Sequence, residues 1–184
     1  LCCNTMLLLE HPPVYTAGRA TQPEDISKNL LNKTIEVERG GQITFHGPGQ
    51  LVGYLIFDLR LRGRDVHQFV RDIETILMGT LAEFGVVGLR KDDLTGIWVE
   101  GKKIASIGIH LSKWVTSHGF SLNIDMDLSP FRIVDPCGQD GRLVTSLRSI
   151  LNRDVTRKEV EKILLDQAEE TFGERFLFGE ELIL

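Results

Sequence analysis

Seven short apolar stretches with strand character follow one another between residues 6 and 124, and one long helical pattern interrupts them. The stretches are bounded by Gly, Pro and Asn, which is typical of β-strands. We predict strands at Met6–Leu9, Ile35–Arg39, Ile43–His46, Leu51–Leu59, Gly96–Val99, Lys103–Ser112 and Val115–Ile124. Strands in succession with few helices predict an α+β (α/β) domain with a mainly antiparallel or mixed sheet and flanking helices.

Three segments have helical signals. Apolar residues recur at three- and four-residue steps through Asp65–Phe84, and Gly85 is placed to end that helix. A shorter helix is expected after Pro23, which suits a first helical turn. A last helix is expected to begin at Thr156-Arg-Lys-Glu159, which has the spacing of a capping box, and to end at Gly173.

The composition is that of a single domain spanning residues 1–184, because 42% of the residues are apolar and there is no repeat or linker. The net charge of −5 gives no general attraction to nucleic acid or anionic membranes. We expect neither as a partner. The three cysteines, Cys2, Cys3 and Cys137, have neither disulfide-framework nor zinc-ligand spacing, so we expect no metal and a reducing, cytoplasmic compartment.

A glycine-rich segment, Arg39-Gly-Gly-Gln-Ile-Thr-Phe-His-Gly-Pro-Gly-Gln50, is the first candidate for chemistry. Glycine lets a ligand approach the backbone closely, and Arg39, Thr44 and His46 add a charge, a hydroxyl and an imidazole. The alternative is a β-hairpin with tight turns at both ends. Both interpretations stay open from composition alone.

The strand period places Lys103 on the same face as Ala105 and Ile107, with Lys102 on the opposite face. Lys103 is then either an amine that extends from the strand end to water or a desolvated amine that exchanges protons. In the next strand we expect His118 to be a core residue with satisfied hydrogen bonds. Gly119 and Ser121, which alternate with it, offer a second stretch of bare backbone to a ligand.

Cys137 stands in Asp135-Pro-Cys-Gly138, where proline fixes the chain before the thiol and glycine clears space after it. It is either a small buried apolar residue or an exposed nucleophile. A nucleophilic thiol needs a partner that takes its proton, and Lys103 or a histidine must supply that partner.

These motifs, taken in order, resemble the lipoyl(octanoyl) transferase family. They are Glu10-His-Pro-Pro-Val-Tyr-Thr16, Arg39–Gln50, Thr95-Gly-Ile-Trp-Val99, Lys103-Ile-Ala-Ser-Ile-Gly-Ile109, Thr116-Ser-His-Gly-Phe-Ser-Leu-Asn123, and Pro136-Cys-Gly138 followed by Val144-Thr-Ser-Leu147. The resemblance extends from about Leu7 to Leu151. The family has a further strand and helix ahead of the first motif, so we expect a domain truncated at its N-terminus.

The resemblance implies a fold similar to the catalytic domain of biotin and lipoate protein ligases. It implies an acyltransferase of lipoate biosynthesis and protein lipoylation, which moves an octanoyl or lipoyl group from acyl carrier protein to a lysine of a lipoyl domain. The implied acceptors are the lipoyl domains of 2-oxoacid dehydrogenase E2 subunits and glycine cleavage H protein. No cofactor is implied, and the compartment is the cytoplasm, or the mitochondrial or plastid matrix in a eukaryote.

The resemblance also implies residue roles. Cys137 matches the nucleophile that forms the acyl thioester, and Lys103 matches the partner that lowers the thiol pKa. The positions matching the acyl-substrate pocket are Arg39, Gly40, Gly41, Gln42, Ile43, Thr44, Phe45, His46, Ser106, Ile107, Gly108, Gly119, Phe120 and Ser121.

Three other functions remain open at this stage. An ATP-dependent lipoate or biotin ligase of the same fold would activate a free acid and would not need Cys137. A non-catalytic module would bind acyl carrier protein without transfer. A cysteine peptidase would pair Cys137 with His118. For a transferase, Arg60-Leu-Arg62-Gly-Arg64 is either a docking patch for an acidic carrier or an ordinary solvated loop.

Overall fold

The computed structural model describes residues 4–22, 26, 30, 33–92, 94–134 and 143–177. Within these ranges the chain forms nine strands and three α-helices. The strands are β1 Thr5–Leu9, β2 Val14–Ala17, β3 Thr34–Glu36, β4 Thr44–His46, β5 Gln50–Ile56, β6 Leu89–Lys91, β7 Leu94–Val99, β8 Lys102–Ser112 and β9 Val115–Asn123. The helices are α1 Val66–Ala82, α2 Leu147–Leu151 and α3 Arg157–Phe172, with short 3-10 turns at Leu59–Leu61 and Ser129–Ile133.

The strands form two sheets. The larger has six antiparallel strands in the order β1-β5-β9-β8-β7-β6. The smaller has the order β3-β2-β4, in which β2 is parallel to β3 and antiparallel to β4. The mainly antiparallel, mixed sheet with flanking helices is confirmed.

The main core lies between one face of the six-stranded sheet and helices α1 and α3. Leu55 and Ile97 from the sheet pack with Phe69 and Leu77 of α1 and Leu164 of α3, and none of them is more than 2% exposed. Each such side chain stabilises the fold by about 1.5–3 kcal/mol relative to exposure. No helix in the described ranges is long and apolar enough to cross a bilayer.

The predicted helix ends are confirmed for the two long helices. Asp65 caps α1 by accepting a hydrogen bond from the Gln68 N–H, 2.9 Å away. Thr156 and Glu159 form a capping box at α3, and Gly173 ends that helix in the left-handed conformation. The helix predicted after Pro23 falls largely on residues outside the described ranges.

The glycine-rich segment is not a hairpin. Strand β3 ends at Glu36, Arg39 lies in irregular structure, and β3 and β4 both pair with β2 instead of with each other. Strands β2 and β6 and helix α2 were not predicted. They are only three to five residues long, and so short an element shows too little of its period to be recognised.

Strand β8 contains a bulge that changes the face of Lys103. Trp98 of β7 is opposite Lys103, whereas Ile97 is opposite Ala105, so Ile104 is an extra residue on β8. Ile104 is fully buried in the main core. Lys103 therefore points away from Ala105, and its predicted place on the apolar face is wrong because the two-residue period is interrupted.

Candidate active site

Small residues form the middle of the sheet face that is turned away from the helices. Ser106 is directly opposite Ser121, and Gly108 is directly opposite Gly119. These positions alternate with core residues such as Ile107, so they share the face outside the main core. Two of the predicted pocket segments are therefore neighbours across strands β8 and β9.

The third predicted segment lies over this face. The Gly40 N–H donates to the Ile109 carbonyl oxygen at 2.9 Å. A Cβ on Gly108 would be only 2.8 Å from the Gly40 oxygen, so a larger residue could not allow this approach. Arg39 donates to the carbonyl and hydroxyl oxygens of Thr16, at 2.8 and 3.0 Å. The structure thus brings together all three glycine-containing segments.

Several predicted pocket residues direct their side chains into apolar clusters. Ile43 packs with Leu30 and Val134, and Phe45 packs with Met126 and Phe131. Ile107 and Phe120 are likewise buried in the main core. Such residues can offer a ligand only their main-chain groups.

The polar residues of the glycine-rich segment Arg39–Gln50 are not part of these apolar clusters. Thr44 is 5% exposed, and its hydroxyl has no hydrogen-bond partner within the described part of the chain. A buried hydroxyl without a partner costs free energy, so it is suited to a ligand. Gln42 and His46 are both partly buried.

Lys103 is only 4% exposed, and its aliphatic chain lies against Gly96. A Cβ on Gly96 would be 2.7 Å from Lys103 Cε, so this glycine makes room for the amine. The Lys103 Nζ lies 5.2 Å from the centroid of the Trp98 ring, and Lys91 Nζ lies 5.1 Å from the same ring. Of the two alternatives for Lys103, its burial favours the buried amine over one that extends to water, on the face opposite to the one predicted.

The chain returns to Lys103 after the segment that contains Cys137. Val144 forms an isolated bridge with Lys103, and the Thr145 N–H donates to the Lys103 carbonyl oxygen at 2.9 Å. Cys137 itself lies outside the described residues. Its predicted role as nucleophile therefore stays a prediction, and the described ends of its segment are Val134 and Leu143.

A cluster of aromatic and imidazole rings lies on the same side of the sheet. His11 Nε2 is 2.6 Å from the Tyr54 hydroxyl, and the His11 ring centroid is 5.8 Å from that of His46. His118 packs edge-on against Tyr54, with ring centroids 6.1 Å apart. His118 is thus not in the apolar core, and the prediction that it is a core residue is wrong, because its φ of 60° departs from regular strand geometry.

The electrostatic surroundings keep these histidines neutral. Burial, with a smaller contribution from the nearby Arg39 charge, lowers the pKa of His46 to about 4. Burial and then Arg39 also lower the pKa of His118, and burial lowers that of His11. Among the described residues, no group of three or more His, Cys, Asp or Glu side chains could hold a metal ion.

The arginine segment is mostly occupied by internal contacts. Arg60 pairs with Asp58, and Arg62 donates to Glu174 at 2.8 Å and to the carbonyl oxygen of Phe172. Only Arg64, of the three, has no ion pair within the described chain, and it lies over the Trp114 ring. This use of the charges argues against a dedicated docking patch.

The sequence matches the model of the lipoyl protein ligase A/B catalytic domain over residues 3–169. The chain belongs to this family. An octanoyltransferase from Geobacter metallireducens is 47% identical over 177 residues, which cover 96% of this chain and 83% of that protein. An octanoyltransferase from Syntrophotalea carbinolica is 48% identical over 160 residues, covering 85% and 74%. The resemblance to the lipoyl(octanoyl) transferase family is confirmed, and the protein is an acyltransferase.

Solved structures of the family and of biotin ligases share the fold. Lipoate-protein ligase A bound with ATP has a TM-score of 0.76 at 17% identity, covering 95% of this chain and 74% of that one. A bi-partite lipoate protein ligase of Thermoplasma acidophilum, studied with its E2 lipoyl domain, has a TM-score of 0.73 at 15% identity, covering 96% and 75%. Biotin protein ligase from Aquifex aeolicus has a TM-score of 0.56 at 21% identity, covering 68% and 53%.

Sequence reasoning missed several polar or aromatic members of this site, namely His11, Gln50, Tyr54, Trp98 and Asn123. Four of them lie within the motifs that carry the family resemblance, but motif membership does not tell which side chains meet. The indole N–H of Trp98, next to Lys103, has no hydrogen-bond partner in the described part of the chain. The alternation of Trp98 with two core residues is the signal that could have placed it on this face.

Proposed function

We propose that this acyltransferase moves an octanoyl group from acyl carrier protein to the lysine of a lipoyl domain, through a thioester on Cys137. The octanoyltransferase relatives support the acyl group. The archaeal ligase studied with its E2 lipoyl domain supports lipoyl domains as acceptors. We propose as acceptors those of 2-oxoacid dehydrogenase E2 subunits and glycine cleavage H protein, and we propose the cytoplasm as the compartment because the octanoyltransferase relatives are bacterial.

The observation that carries this proposal is the position of Lys103. Its side chain is buried on the face where the three glycine-containing segments meet, and its backbone forms a bridge with Val144, seven residues after Cys137. A buried lysine next to the end of the thiol-bearing segment supports a role for its amine in activating the thiol. Lys102, the preceding residue, is exposed to solvent and is not buried on this face.

The first half-reaction transfers the acyl group to the enzyme. Lys103 Nζ takes the proton of the Cys137 thiol, and the thiolate sulfur attacks the carbonyl carbon of the octanoyl thioester. The bond from that carbon to the carrier sulfur then breaks, and the carrier thiolate leaves and takes up the proton. Backbone N–H groups of the glycine segments stabilise the negative oxygen of the tetrahedral intermediate.

The second half-reaction forms the amide. The neutral amine of the acceptor lysine attacks the carbonyl carbon of the Cys137 thioester, and the carbon–sulfur bond breaks. Lys103 takes the proton lost by the amine and returns it to the Cys137 sulfur. The bonds and protons balance without ATP or a metal, because a thioester lies above an amide in free energy.

The acyl group would lie on the sheet face of small residues. Gly108 lets the glycine-rich segment pack closely over this face, and the buried Thr44 hydroxyl is available to a polar atom of the ligand. Arg39 and Gly40 would close the pocket from above, since Gly40 is hydrogen-bonded to Ile109. This arrangement supports the substrate-binding roles proposed for the three segments.

Intact-mass measurement after incubation with octanoyl-acyl carrier protein tests the mechanism. We expect wild-type protein, and variants Cys2→Ala and Cys3→Ala, to gain one octanoyl group, and Cys137→Ala to gain none while remaining folded. Addition of an apo lipoyl domain should then remove the group and produce an octanoylated domain. Wild-type turnover by Cys137→Ala would falsify the covalent mechanism.

The same assay separates the remaining functions. The fold is shared with a ligase that binds ATP, so transfer is measured without nucleotide. Transfer only from free octanoate with ATP would instead identify a ligase. Binding of the carrier without acylation would identify a carrier-binding module.

A further inference from the structure

A series of hydrogen bonds links His46 to the Lys103 backbone through Gln50, Asn123 and Thr145. His46 Nδ1 is 2.8 Å from Gln50 Oε1, and Gln50 Nε2 is 2.8 Å from Asn123 Oδ1. Asn123 Nδ2 donates to the Thr145 carbonyl oxygen at 2.9 Å, and the Thr145 N–H donates to the Lys103 carbonyl oxygen. Two buried side-chain amides therefore lie between His46 and the Thr145 backbone, which is itself hydrogen-bonded to the Lys103 backbone.

The direction of each amide is fixed by a backbone carbonyl. The Thr145 carbonyl only accepts hydrogen bonds, so the NH₂ group of Asn123 must face it and Oδ1 must face Gln50. The NH₂ group of Gln50 then donates to Asn123 Oδ1 and to the Phe45 carbonyl oxygen at 3.4 Å. Gln50 is 1% exposed and Asn123 is 4% exposed, so neither amide can turn to water instead.

The amides determine the tautomer of His46. With Gln50 Oε1 facing His46 Nδ1, that nitrogen must carry the proton. A neutral imidazole has one N–H, so Nε2 has a bare lone pair. The described chain gives Nε2 no hydrogen-bond partner, while the hydrogen bond from Nδ1 holds the ring.

We propose that Gln50 and Asn123 are positioning residues, which hold His46 so that its bare Nε2 accepts a hydrogen bond from the primary amine that receives the acyl group. This inference rests on the proposed function. An octanoyl chain and a thioester carbonyl have no N–H to donate, whereas an amine does. A hydrogen bond to one amine hydrogen leaves its lone pair directed elsewhere, as attack on the acyl carbon requires.

Burial keeps this acceptor neutral, and the surrounding groups contribute less to the lowered pKa of His46. Arg39, His11 and His118 all disfavour a second proton on the ring, and Gln50 favours it only through its hydrogen bond. With a pKa of about 4, His46 is far too weak a base to deprotonate a lysine ammonium of pKa about 10.4. Its part is therefore to orient the amine, and the proton is left to Lys103.

Nitrogen-detected NMR of the full chain tests the tautomer directly. At neutral pH we expect His46 Nδ1 to be protonated and Nε2 to be bare, and in Gln50→Glu we expect the added carboxylate to raise the His46 pKa and protonate Nε2. A wild-type His46 with its proton on Nε2 would overturn the inference. This measurement does not depend on catalysis.

The two half-reactions test the role in positioning. We expect Gln50→Glu to slow the release of octanoyl from acylated enzyme to a lipoyl domain at least tenfold more than it slows acylation. Gln68→Glu, the same change on an exposed helix position, should alter neither. An equal loss in both steps, or a loss in acylation alone, would contradict the assignment to the amine.

A second pair of variants applies if Gln50→Glu does not fold. His46→Gln keeps an oxygen acceptor near the place of Nε2, whereas His46→Ala removes it, so Gln should retain at least tenfold more of the amine step than Ala. Equal rates would refute the hydrogen bond. If wild-type protein is never acylated, the proposed function fails, and that result is distinct from normal acylation without the predicted difference in the second step.

Discussion

Replacing Lys103 with Met removes the buried amine and keeps a side chain of similar length. A positioned acid or base contributes about 10²- to 10⁴-fold to rate, which is about 2.7–5.5 kcal/mol of barrier. We therefore expect acylation to fall by at least about 10²-fold. Lys102→Met is the matched control, because Lys102 is adjacent and exposed, and it should retain wild-type acylation.

Stability should change much less than activity. Replacing Lys103 removes the cation–π contact between its Nζ and Trp98, which stabilises a fold by about 0.5–2 kcal/mol. The same change relieves the desolvation of an amine that is only 4% exposed. These two effects oppose each other, so we expect the loss of unfolding free energy to be smaller than the amount, about 2.7–5.5 kcal/mol, by which the amine lowers the reaction barrier.

Alkylation of Cys137 by iodoacetamide across a pH series measures the effect on the thiol. The background carries Cys2→Ser and Cys3→Ser, so that Cys137 is the only thiol that reacts. We expect Lys103→Met to move the alkylation curve to higher pH, because the thiol loses the amine that we propose lowers its pKa. If Lys103→Met and the background protein gave superimposable alkylation curves, this role would be refuted, even if Lys103→Met transferred octanoyl groups more slowly.

Three further outcomes are expected. Gly108→Ala should raise KM for the octanoyl donor about tenfold in steady-state assays, because the added Cβ would be 2.8 Å from the Gly40 oxygen and overpacking costs about 1–3 kcal/mol. An unchanged KM would contradict this. The free energy of unfolding should fall as pH decreases from 6.5 towards 4, because His46 binds a proton at higher pH in the unfolded chain than in the folded one. Urea unfolding across this range should show a smaller fall for His46→Gln than for wild type. Arg62→Ala should lose about 1–2 kcal/mol in urea unfolding, since its guanidinium bonds to Phe172 O and lies 4.8 Å from that ring, without changing the salt dependence of KM.

The elements with a long, regular period were predictable from the sequence. Helix α1 shows four turns of apolar spacing, and α3 has its capping box, so their ends could be assigned within two residues. The three glycine-containing segments were found because glycine at these positions reflects a backbone requirement. Their meeting on one sheet face follows from strand pairing, which the local sequence does not specify.

The bulge and the hydrogen-bonded amides were not predictable for a physical reason. The face of Lys103 depends on which partner residue each residue of β8 opposes, and that register is set by both strands together. Gln50 and Asn123 are 73 residues apart, and each alone resembles an ordinary polar residue at a strand end. Only the folded chain shows that one amide determines the orientation of the other.

The extra residue in β8 makes the direction of the amine depend on the number of residues rather than on their identity. Conservative apolar replacements of Ile104 would still fill the core and leave Lys103 on the outer face. Deletion of one residue between Val99 and Lys103 would place Ile104 opposite Trp98, restore the two-residue alternation and turn the amine towards the helices. Homologous enzymes that retain this chemistry should therefore differ in length at the Glu100-Gly101 turn only by changes that keep the amine on the outer face of β8.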